Sequence, residues 1–164
     1  MSVILIRLEK ITIDNFEDCL RLTVNDEQKE FIASNAYSLA EAYALCNHHS
    51  YVPLPLVIYA RDMMVGFAFV IYEPKDDDDP DDEDVYYLAR FMIGKKYQNN
   101  GYGRSALNKL LEFLQTHPIG KAKSIVLSCN PNNHKAYSLF LSAGFKEMGF
   151  QDDDGDNLLQ LELN

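Results

Sequence analysis

The sequence predicts a single α/β domain, a mixed (α+β) sheet with helices on its faces, on three observations: chain length, the order of its predicted elements, and the absence of any linker or internal repeat. Its 164 residues fall within the roughly 100–200 that one hydrophobic core organises. A composition of 47% apolar and 12% aromatic residues belongs to a globular protein rather than a disordered or fibrous one.

Residues 3–8 are rich in branched side chains and open the chain as a strand. Asp14 with Glu17 gives a helix-start signature, and Phe16, Cys19 and Leu20 form an apolar stripe, so a helix is expected over 15–22. Ser38 with Glu41 repeats that pattern ahead of a helix over 39–46, with Pro53 and Pro55 as breaks beyond it. Two β-rich runs, 56–60 and 64–72, flank the polar pair Arg61–Asp62 and read as a hairpin. An acidic stretch then leads to a third strand over 85–93. Ala106, Leu107, Leu110, Leu111 and Leu114 line one face of a helix over 104–115. A short apolar strand over 124–129 follows, then a helix over 133–143 ended by Gly144. The runs 145–150 and 158–163 close the chain as a hairpin around Asp154–Gly155.

The formal charge of −10 is mostly local, because eight of the 25 acids lie between Asp76 and Asp84. Such a run attracts cations, although a solvated loop is its simpler role. No basic face is visible, which argues against nucleic acid as a partner. No apolar run approaches the roughly 20 residues of a membrane span, and the N-terminus lacks the pattern of a signal peptide, so a cytoplasmic protein with no membrane partner is expected. Cys19, Cys46 and Cys129 are unpaired in spacing and read as buried free thiols, and no metal site is expected, the neighbouring His48 and His49 included.

The segment Gln98-Asn99-Asn100-Gly101-Tyr102-Gly103 stands between a predicted strand and a predicted helix. Glycines there let backbone N–H groups turn toward a ligand, and a helix start adds unpaired donors and the positive end of the macrodipole. A pyrophosphate would be stabilised at this point, with Arg104 adding charge. The glycine pair also satisfies a dinucleotide fingerprint, but no acid stands about 20 residues on. A phosphate-binding G-x-x-x-x-G-K-[ST] loop is absent, and a turn that merely starts a helix remains open.

Gln98, Gly101 and Gly103 match [Q/R]-x-x-G-x-[G/A], and residues 87–115 resemble motif A of the GNAT superfamily of N-acetyltransferases. Asn133-x-x-Ala136, Leu139 and Gly144-Phe145 resemble its motif B. Residues 24–42, with Gln28, Phe31, Ser38 and Leu39, and Val65-Gly66-Phe67-Ala68 resemble the spermine/spermidine, or diamine, acetyltransferase branch. The resemblance implies a mostly antiparallel sheet with one splayed parallel strand pair, helices on both faces, and acetyl-CoA in the resulting wedge.

On this resemblance, the backbone of Phe91, Met92 and Ile93 pairs with the pantetheine arm like an added strand, and the amides of Gln98, Asn99, Asn100, Gly101, Tyr102, Gly103, Arg104 and Ser105 hold the pyrophosphate. Asn133 hydrogen-bonds the cofactor arm, with Tyr137 and Phe140 beside it. An N–H near Met92 stabilises the oxyanion as a neutral amine attacks the thioester. The implied acceptor is a small cationic amine, first a polyamine, and the alternatives are another amine acceptor or an acyl-CoA-binding module with an impaired catalytic step. A homodimer is implied by analogy alone.

Two positions depart from the family pattern. Phe140 stands where a tyrosine usually protonates the departing thiolate, and Tyr137, three residues earlier, is the candidate substitute. Ala89 stands where polyamine-acetylating relatives often carry an acid. Replacement acids are sought in Asp26, Glu27 and Glu30, or in the 76–84 loop, expected beside the acceptor cleft.

Overall fold

The computed structural model describes residues 3–164. Among them, strands β1 (Ile6–Lys10), β2 (Val52–Ala60), β3 (Met63–Glu73), β4 (Val85–Ile93), β5 (Ser124–Cys129), β6 (Lys146–Gln151) and β7 (Asn157–Glu162) form one sheet, in the order β1-β2-β3-β4-β5-β7-β6. Helices α1 (Phe16–Arg21) and α2 (Asn35–Leu45) cover one face, and α3 (Tyr102–Leu114) and α4 (His134–Ser142) the other. Each face has its own core. Leu107, Leu110 and Leu114 of α3 are fully buried against Ile58, Val70 and Ile125, while Cys19 and Ala42 pack with Val57, Phe67 and Phe69 opposite. Each fully buried leucine contributes about 1.5–3 kcal/mol of transfer free energy.

Strands β4 and β5 occupy the residues their patterns predict, while other elements start elsewhere for local reasons. β1 begins at Ile6 rather than residue 3. Helix α1 is preceded by Asn15, whose Oδ1 accepts from the Thr12 N–H at 2.7 Å, so Asp14 is not its cap. Helix α2 starts a turn earlier than expected, because Ser34 is the residue whose side chain accepts from the Tyr37 N–H at 3.1 Å. Ser38 lies buried inside the helix and donates back to the Ser34 carbonyl. Pro53 and Pro55 do not break β2. β1 reaches only as far as Leu56, so the prolines sit where β2 has one neighbour, and a missing N–H costs no ladder bond on the open side. Gly144, at φ 106°, ends α4, and the Phe145 N–H closes the turn on the Phe140 carbonyl at 3.1 Å.

Two irregularities shape the site. The parallel pair β4–β5 is joined only through Val85–Tyr87 and Ser124–Val126, beyond which Leu88–Ile93 and Leu127–Cys129 are unpaired with each other. In the β3–β4 ladder Phe69 faces Arg90 and Val70 faces Leu88, so Ala89 is an extra, bulged residue. The bulge reverses the alternation of β4. Tyr86 and Leu88 belong to the α3 face and Tyr87 and Ala89 to the α2 face, whereas afterwards Phe91 and Ile93 lie on the α3 face and Met92 on the other.

Candidate active site

A cleft of about 540 Å³ opens where β4 and β5 part, walled by 88–93 of β4, Ser128 and Cys129 of β5, the start of α3 and the inner side of α4. The edge of β4 inside it has a definite phase. The Gly94 N–H donates to the Val65 carbonyl at 2.8 Å, and ladder bonds alternate along an antiparallel strand, so Met92 directs its N–H and C=O at β3. Those of Phe91 and Ile93 are left facing the cleft, as the Ile93 carbonyl shows by accepting from the Gln98 side chain at 2.9 Å. The oxyanion donor expected at Met92 is therefore committed to the sheet, because Met92 falls on the paired phase of the ladder.

At the mouth of the cleft, the first turn of α3 begins at Gly101, which takes φ 82° and would bring a Cβ within 3.2 Å of Ile4. Gly103 has ordinary helical backbone, and an added Cβ would meet Leu139 and Ile93 only at 3.7 and 3.8 Å. Nothing inside the protein demands a glycine there; a side chain would instead fill the cleft that Gly103 lines. Arg104 and Lys135 both line the cleft from the first turns of α3 and α4. Cations are disfavoured at that end of a helix dipole unless an anion is shared between them. Lys135 was not singled out from the sequence, although its place in a first turn was the available signal. Its Nζ donates to Asn99 Oδ1 at 2.7 Å, tying α4 to the glycine loop. Asn133 also lines the cleft, and its side chain makes no cap bond. Side chains of Asn100, Tyr102 and Ser105 stand behind this surface: the Asn100 amide braces the Tyr97 and Gln98 carbonyls, and Tyr102 packs on the core. Gln98 has a bracing role too, exchanging amide bonds with Gln28 and accepting from Asn25.

Several expected roles fail on geometry. Tyr137 lines no part of the cleft; its hydroxyl donates to the Glu147 carboxylate and accepts from Asn157 Nδ2 at 2.9 Å, which turns it toward the last hairpin. Burial first, then Glu147, raises its pKa. Phe140 does line the cleft, buried between Phe91 and Phe145 in edge-on contacts. Asp26, Glu27 and Glu30 are exposed outside it, and Asp26 pairs with Lys29 at 2.8 Å. Its pKa is lowered by the Lys29 hydrogen bond and charge. The wall on that side is made instead by Val24, Gln28, Phe31 and Ile32, placed by a 3₁₀ turn at Asp26–Gln28. The 76–84 loop contributes nothing to the lining. It precedes the paired end of β4, whereas the cleft opens along the strand's second half.

The α2 side of the cleft holds Arg90, whose Nη2 meets Glu41 Oε1 at 3.1 Å and whose Nη1 donates to the Ala89 carbonyl at 3.0 Å. Asp156, at the last hairpin, lines the cleft with its pKa raised by burial and then by Asp152. Burial pushes the Cys129 thiol up to about 11 and Cys19 to about 12, so both stay protonated near neutrality, while Cys46 is exposed rather than buried. Among the described residues no group of three or more His, Cys, Asp or Glu side chains could hold a metal ion.

The cleft is thus a parting parallel strand pair with a glycine-opened helix start at its mouth, and residues 16–145 match the acetyltransferase (GNAT) family. The chain belongs to that family. It is 32% identical over 158 residues to a spermine/spermidine N(1)-acetyltransferase of Bacillus subtilis (strain 168), covering 96% of this chain and 99% of the relative. A probable spermine N(1)-acetyltransferase of Bacillus subtilis subsp. natto (strain BEST195) matches with the same identity and coverage. Among solved structures, spermidine N-acetyltransferase of Vibrio cholerae in complex with CoA and spermine shares the fold at TM-score 0.66 and 16% identity, over 96% of this chain and 94% of that one. An aminoglycoside N(6')acetyltransferase of Legionella pneumophila does so at TM-score 0.72 and 13% identity, over 99% and 94%.

Proposed function

We propose that the protein transfers the acetyl group of acetyl-CoA to a primary amine of a small cationic acceptor, a polyamine such as spermidine or spermine. The observation that carries this reading is the full-length similarity to spermine/spermidine acetyltransferases, joined to a cleft whose donors suit the cosubstrate. The α3 start, Arg104 and Lys135 would hold its pyrophosphate, and Asn133, the cleft-facing backbone of Phe91 and the Ile93 N–H its pantetheine arm. Bound there, the thioester supplies the electrophilic carbonyl. The chain's part is to align the amine with it, to exclude water with Phe91 and Phe140, and to present cleft-facing N–H groups of β4 to the developing oxyanion. The test is free-thiol release from acetyl-CoA with spermidine, spermine, putrescine, an aminoglycoside and a lysine peptide, alongside calorimetry with CoA. Turnover on spermidine or spermine supports the reading; turnover confined to another amine replaces the acceptor, and absence of CoA binding overturns it.

Phe140 in the cleft wall and Tyr137 turned out of it favour a second reading, an acyl-CoA-binding module with an impaired chemical step. Phe140→Tyr separates the two. A gain in kcat of tenfold or more marks an enzyme short of a proton donor, and tight CoA binding with no turnover in either protein marks a binder.

A further inference from the structure

Neither Phe140 nor Tyr137 supplies a hydroxyl to the cleft; of the serines that line it, Ser142 spends its hydroxyl on the Leu139 carbonyl at 2.8 Å and Ser138 stands on α4 rather than at the fork of β4 and β5. Arg104 and Lys135 stand at the cationic mouth, and the Cys129 thiol points at the Asn130 carbonyl 3.7 Å away. Ser128 is placed differently. It follows Val126, the last residue of β5 paired to β4, by two positions, lines the cleft, and is only partly buried. Its Oγ lies 3.1 Å from the Tyr87 hydroxyl, and Tyr87 is the last residue of β4 paired to β5. The pair therefore bridges the two strands at the point where they part.

We propose that the Ser128 hydroxyl, oriented by the Tyr87 phenol, carries the proton from the attacking amine to the departing thiolate. This rests on the acetyl-transfer reading above. As the N–C bond forms and the C–S bond breaks, Ser128 Oγ accepts the proton leaving nitrogen while its own hydroxyl proton passes to sulfur. Serine ends as it began, and no further reactant is needed. Tyr87 donates to the same oxygen and is a positioning residue. Burial, the largest influence, raises its pKa, which keeps the phenol protonated as a donor.

Ser128→Ala, Ser128→Thr and Tyr87→Phe test this with calorimetry, steady-state kinetics and a titration of the thiolate absorbance of bound CoA. Ser128→Ala is expected to lower kcat about 10²-fold or more, leave CoA affinity within about twofold, and raise the pKa of the bound CoA thiol by removing its donor. Ser128→Thr retains most of the rate, and Tyr87→Phe falls between. A Ser128→Ala protein with wild-type kcat and an unmoved thiol pKa overturns the proposal. If Ser128→Ala fails to bind CoA, the other two decide: an unimpaired Tyr87→Phe or a Ser128→Thr as poor as a misfolded protein overturns it. Should the wild type turn over no amine, the acetyl-transfer reading fails on kinetics, while the thiol titration still reads the contact between Ser128 and sulfur.

Discussion

Gly101 and Gly103 stand two residues apart and are glycines for different reasons. Gly101 needs a left-handed backbone, so Gly101→Ala is expected to cost about 1–2 kcal/mol of stability, read from a denaturation curve. Gly103 needs only an empty space. Gly103→Leu should leave the melting temperature at or above that of the wild type, because a helix gains from losing a glycine, and weaken CoA binding more than about tenfold through occlusion of the anion cradle. Unchanged affinity would remove the α3 start from the site. Of the candidate site, this loop was the part legible in the sequence, since positive-φ glycine and an open helix start follow from local chemistry. The opposite wall was not. Gln28, Phe31 and Ile32 reach the cleft through a 3₁₀ turn braced by Gln98, seventy residues away in the chain, and no local pattern encodes that bond.

For elements, legibility followed the length and regularity of the hydrophobic pattern. α3 carries an uninterrupted 3.6-residue period and β5 a short apolar run, and both are found close to where those patterns place them. α2 carries two serines four residues apart, each able to cap, and the backbone decides between them. Ser34→Ala should therefore cost about 1 kcal/mol by urea denaturation, and Ser38→Ala distinctly less, because Ser38 loses one bond to a carbonyl that the Ser38 N–H still satisfies. Equal losses would contradict the observed cap. The bulge in β4 was hidden because Leu88-Ala89-Arg90-Phe91 lies within a mostly apolar run with no alternation to interrupt, and only the register against β3 reveals the extra residue.

At the scale of the whole molecule, the acidity and the cleft are separated. Asn replacing Asp77, Asp78, Asp79 and Asp81 is expected to change the KM for spermidine less than about twofold at physiological ionic strength, where charges beyond about 8 Å are largely screened. A larger rise would return the loop to acceptor binding. Glu73, at the root of the loop, has its pKa raised by burial and then by Asp82. The folded state thus keeps its proton to higher pH than the unfolded chain, so the group favours folding at acid pH and loses that contribution as pH rises through the folded pKa. Glu73→Gln should raise the melting temperature near pH 7 relative to wild type, with the gain vanishing below about pH 4, under the ordinary carboxylate value. The bulge has a further consequence for how such a protein can diversify. Ala89 and Arg90 are neighbours in sequence that no longer alternate across the sheet, and both line the α2 side of the cleft, while Phe91 and Ile93 turn their side chains to the α3 face. Side chains at 89 and 90 can therefore be exchanged on the α2 side of the cleft without disturbing the Phe91–Phe140 wall on the α3 side, so the two halves of the cleft are free to vary independently.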